Sequence, residues 1–67
     1  MMSAEKWKNL KISAFIDQKG TTFIKGPFDI DGNVYDYKLV DEYGEDYCTA
    51  EQMDEWFVEI VKKVKVL

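Results

Sequence analysis

Thirteen carboxylates and a single thiol, Cys48, are the groups from which this 67-residue chain could build chemistry, and no histidine assists them. Without an imidazole the usual general base at neutral pH is missing, and with it the Ser-His and Cys-His pairs and the His-ligated metals. Paired carboxylates can do acid-base work on a glycoside, but such pairs occupy deep clefts that a chain this short can barely enclose. Cys48 stands one residue ahead of a helix cap, where a helix N-terminus can lower a thiol pKa, yet no resolving cysteine accompanies it. Its alternative reading is a small buried hydrophobe. Asp29-Ile30-Asp31-Gly32-Asn33 begins like a calcium loop, but Val34 and Val40 stand where glycine and glutamate are required, so a hairpin turn is the better reading. The chain is therefore expected not to be an enzyme and to carry no cofactor and no metal.

Asp41-Glu42-Tyr43-Gly44-Glu45-Asp46-Tyr47 is the most distinctive segment, with carboxylates and two tyrosines around one glycine. It leads into a helix whose first turns add Glu51, Asp54 and Glu55. An acidic surface with aromatic anchors can steer toward a basic partner and then make desolvated contacts, so these residues are the candidate partner-binding set: Asp41, Glu42, Tyr43, Glu45, Asp46, Tyr47, Glu51, Asp54 and Glu55. The competing reading is a solvated turn with one tyrosine tucked under the sheet. All nine cationic residues are lysines and the net charge is −4. Lacking the guanidinium fork and a net positive face, the chain is a poor candidate for nucleic acid or anionic lipid. Phe15, Phe23, Tyr35 and Tyr37 could stack single-stranded bases, but such sites need a cationic groove. The expected partner is a protein with a basic surface, or a second copy of the chain.

The elements that must position these residues follow from periodicity. Leu10, Ile12, Ala14 and Ile16 alternate with Lys11, Ser13, Phe15 and Asp17, predicting a strand over residues 9–17. Gln18-Lys19-Gly20 turns it into a second run from Thr21, interrupted at Gly26-Pro27 by a bulge or an edge position. Asp31-Gly32-Asn33 is the strongest turn signal in the chain and predicts a second hairpin, returning over residues 34–42. Asp46-Tyr47-Cys48 reads as short and extended. Thr49-Ala50-Glu51-Gln52 then matches a capping box. Met53, Trp56, Phe57, Ile60 and Val64 recur at three- and four-residue spacing, predicting one amphipathic helix over residues 49–64 whose stripe covers the sheet. Trp56 belongs to that core stripe, whereas Trp7, flanked by lysines, has the better claim to exposure. Residues 3–8 read as a helical turn or a lead into the first strand, and residues 63–67 as a short final strand or, alternatively, as a continuation of the helix. The expected fold is α+β in a single domain over residues 1–67. It consists of an antiparallel sheet of three to four strands and two hairpins, covered on one face by a single C-terminal amphipathic helix.

Small folds usually need a staple, and one cysteine without histidine removes both disulfides and the usual metals. Dense aromatic packing, self-association or a bound partner remains, and ten aromatics (two Trp, four Tyr, four Phe) suit the first. Charges begin almost at the N-terminus, without a secretory apolar run, and no window approaches the roughly 20 apolar residues of a membrane span. A cytoplasmic location is expected. In size, acidity and aromatic content the chain resembles the small proteins with which bacteriophages and mobile elements bind and block host enzymes, a likeness of class and not of motif. That resemblance implies an inhibitor or modulator that works through a surface; the alternative is a self-assembling scaffold module.

Overall fold

The computed structural model describes residues 3–65. Seven elements follow in order: α1 (Ala4–Lys8), β1 (Ala14–Asp17), β2 (Thr22–Ile30), β3 (Asn33–Asp41), β4 (Gly44–Cys48), α2 (Ala50–Glu55) and β5 (Ile60–Val64). The strands form one antiparallel sheet in the order β4-β3-β2-β1-β5, so β4 and β5 are its edges.

The hairpins follow their turn chemistry. Asp31 and Gly32 both take positive φ, 52° and 84°, as a tight two-residue connection requires. At the β1–β2 turn, the buried Asp17 carboxylate accepts from the Lys19 and Thr21 backbone N–H groups, at 2.9 Å each. Gly26-Pro27 marks a bulge, since the β2–β3 register shifts between Lys25 and Phe28. Proline is tolerated there because β1 pairs only with Thr22–Ile24 and never reaches Pro27. A β-carbon on Gly26 would stand 2.7 Å from the Phe28 backbone nitrogen, so glycine is required at this kink.

The expected long C-terminal helix is corrected: the sheet has five strands and is served by two short helices, one at the N-terminus and one mid-chain. Its start is as read, with Thr49 Oγ1 accepting from Gln52 N–H and Gln52 Oε1 accepting from Thr49 N–H. Asp36 adds a second cap, accepting from Ala50 N–H at 2.7 Å. The stop comes at Trp56. Val58 N–H reaches back to the Met53 carbonyl and Phe57 N–H to that of Asp54, the paired bonds of a Schellman motif, with Phe57 in the left-handed region at φ 55°. Ile60 to Val64 then pairs with β1 as an edge strand. The β-branched Val58, Ile60, Val61 and Val64 favour that outcome, and pairing with an existing strand outweighs a helical stripe. The last two positions of the expected final strand, Val66 and Leu67, lie outside the described residues.

The first strand is also shorter than its alternation predicts. Residues 9–13 form an irregular approach in which Leu10 and Ile12 pack against the core, held by the Lys25 ammonium donating to the Leu10 carbonyl. The core is an aromatic stack on one face of the sheet. Trp7 lies over Phe15 at 5.6 Å, Phe15 over Phe23 at 5.1 Å, and Tyr37 presents its edge to all three. Tyr37 also donates its hydroxyl to the Trp7 carbonyl at 2.6 Å, joining α1 to the centre of the sheet. Trp7, expected outside, is thus 1% exposed and central.

Candidate functional site

The candidate residues divide between several places. Asp41, Glu42, Tyr43, Glu45 and Asp46 lie exposed on the β3–β4 hairpin, with Tyr43 90% exposed. Asp41 accepts from Tyr43 N–H and shapes the turn. Glu45 pairs with Lys38 at 3.2 Å, so the hairpin acids are not all free. Tyr47 does not join Tyr43. Its ring packs against Phe28 and Tyr35, at centroid distances of 5.5 and 5.8 Å, as a small aromatic cluster apart from the core. Glu51 faces α1, where the Lys8 ammonium at 2.8 Å holds its carboxyl below the usual range and is itself raised in return.

Asp54 and Glu55 belong to a different feature. Together with Trp7, Met53, Phe57, Val58 and Glu59 they line a surface groove of about 620 Å³. Phe57 supplies its exposed apolar surface, over a floor of the buried Trp7, Met53 and Val58, and Asp54, Glu55 and Glu59 complete the lining. Phe57 is 82% exposed and Trp56 44%, so both leave the core that their spacing had assigned to them. Gln18 fixes this loop from across the sheet, donating to the Phe57 carbonyl and accepting from Glu59 N–H, both at 2.9 Å. Register places the β1–β2 turn and the β3–β4 turn at one end of the sheet, because Thr22 pairs with Val40. The Gln18 clamp therefore brings the Phe57 loop to the end that displays Tyr43.

Phe57 sits where a helix usually places glycine. A side chain in left-handed backbone costs on the order of 1 kcal/mol, and nothing in the core repays it for a ring left in solvent. Phe57→Gly is expected to raise stability by about 0.5–1 kcal/mol, read from the urea midpoint at constant slope. A loss of stability would show that the ring packs more than its exposure implies.

Cys48 is fully buried beneath α2, and burial, with Asp36 and then Asp46 adding to it, pushes its thiol up to about 12. That is the reverse of an activated nucleophile. Among the described residues no cluster of three or more Cys, Asp or Glu side chains is placed to hold a metal, and no helix is long and apolar enough to cross a membrane.

No protein-family model, curated protein or solved structure matches the chain.

Proposed function

We propose that this protein is a small cytoplasmic binding module that modulates a larger protein by seating a basic side chain of that partner in the Phe57 groove. The groove carries the reading: the exposed Phe57 ring over a buried floor of Met53 and Val58, lined also by Asp54, Glu55 and Glu59. A lysine or arginine has an aliphatic stem and a charged head, and this arrangement offers each part its own surroundings. The exposed Phe57 ring supplies a face for a guanidinium or ammonium, and hot spots favour such aromatic and arginine anchors. The hairpin acids Asp41, Glu42 and Asp46, at the same end as the Gln18-clamped loop, would steer the approach.

The test is capture of binding proteins on the wild-type chain, followed by titration of the captured protein with variants. Glu55→Lys and Phe57→Ala are each expected to weaken binding by about tenfold or more, and Glu42→Lys to slow association, with affinity falling as salt rises. Binding that ignores salt, Glu55→Lys and Phe57→Ala alike would sink the reading.

A further inference from the structure

We infer that the uncovered face of the sheet is a self-complementary surface that takes a second copy of this chain, packed face to face. The aromatic core lies on the side of Phe15, Phe23 and Tyr37. Register places the alternate residues in two rows that cross all five strands, Val64–Ala14–Ile24–Lys38–Tyr47 and Lys62–Ile16–Thr22–Val40–Glu45. Ile16, Ile24, Val40 and Val64 are apolar and half-buried, yet none of them packs against the core cluster. Both helices bear on the opposite side, through Trp7 and Met53, and although Ala14 is fully buried among its neighbours, Ile16, Ile24, Val40 and Val64 keep part of their surface exposed.

Charge selects the occupant. On this face the β5 edge of the sheet carries Lys62 and the β4 edge carries Glu45, whereas Lys63, opposite Phe15, and Asp46, opposite Leu39, lie on the core side. A twofold axis running along the strands lays β5 of one copy over β4 of the other, so basic meets acidic twice. An axis across the strands would instead lay lysines over lysines, which is unfavourable. Packed sheets stand about 10 Å apart, a gap that a lysine and a glutamate span between them, so Lys62 of one copy reaches Glu45 of the other, which it would share with the Lys38 that pairs with Glu45 at 3.2 Å within the chain, and the reverse. A specific interface buries at least roughly 1,000 Å² in total, or about a tenth of each copy's 4937 Å². Five strands supply a face of that size, and sequestering its apolar rows adds to the stability of the aromatic core. The strand-parallel axis also points both Tyr43 hairpins the same way. The surface is distinct from the groove, so either proposal can fail alone.

The experiment is sedimentation of the whole chain at about 100 µM, with wild type expected at twice the 7.9 kDa chain mass. Lys62→Glu and Glu45→Lys are each expected to raise the dimer dissociation constant by roughly tenfold, while an equal mixture of the two recovers the dimer because both crossed pairs are again opposite in sign. Circular dichroism of each variant checks the fold, to which Glu45 contributes only its exposed ion pair with Lys38. A monomeric wild type overturns the inference, as does dimerisation indifferent to Lys62→Glu. A mass that climbs without limit also overturns it, because that marks open edge-to-edge pairing of β4 with β5.

Discussion

Trp7→Ala is expected to unfold the protein, whereas Trp56→Ala should change its stability by less than about 1 kcal/mol. Removing a fully buried tryptophan costs roughly 3–5 kcal/mol, and a chain of this length has on the order of 3–10 kcal/mol in all. The loss goes beyond area, because Trp7 stacks on Phe15, meets the edge of Tyr37 and offers the carbonyl that its hydroxyl uses. Trp7→Phe separates these contributions. It keeps a ring on Phe15 and the backbone carbonyl, and it removes the indole Nε1–H, which is buried without a hydrogen-bond partner. An unpaired buried donor costs about 1–3 kcal/mol, so Trp7→Phe should retain the fold at a smaller cost than Trp7→Ala. Far-UV circular dichroism and urea melts decide. A folded Trp7→Ala beside a destabilised Trp56→Ala would return Trp56 to the core stripe its spacing predicted and Trp7 to the exposure its flanking lysines suggested.

That reversal shows which part of the fold the sequence made legible. Local signals read true where a few adjacent residues set the geometry: the Asp31-Gly32 turn, the bulge at Gly26-Pro27 and the Thr49–Gln52 capping box. The end of α2 was illegible because no glycine or proline announces it. Phe57 takes the left-handed angle itself, and Ile60 and Val64 continue the helical spacing of Met53, Trp56 and Phe57 although they belong to β5. The burial of Trp7 depends on Phe15 and Tyr37, which lie far along the chain, and a helix of five residues shows too little periodicity to reveal it. The candidate site divides in the same way. The hairpin acids are contiguous in sequence and so are grouped there, but which tyrosine faces outward is not legible there: Tyr43 is exposed and Tyr47 turns to Phe28 and Tyr35. The groove joins residue 7 to residues 53–59, and only the misread helix end creates it.

Raising the pH is expected to unfold the protein from within. Burial pushes Cys48 from 9.0 to about 12 and, with Asp36 adding to it, Tyr37 from 10.0 to about 12. Each group is held neutral in the folded chain and ionises earlier when unfolded. Above an unfolded pKa the native state therefore binds the extra proton, and stability falls as pH rises. The contribution is whole below about pH 9, declines with one group between about 9 and 10, and with both groups up to about 12. Each pH unit removes about 1.4 kcal/mol per group, so the sum over this window is on the order of 7 kcal/mol, enough to unfold a marginal domain before pH 12. Lysines lose charge over part of the same range, so the informative measurement is a difference. Cys48→Ala keeps every lysine and removes the first group, so its decline should begin about one unit later than that of wild type. The Tyr37 phenolate should absorb only as ellipticity is lost, because the buried ring cannot ionise in place. Urea midpoints unchanged between about pH 8 and 11, or the same onset in Cys48→Ala as in wild type, would mean that water reaches these two groups beneath α2.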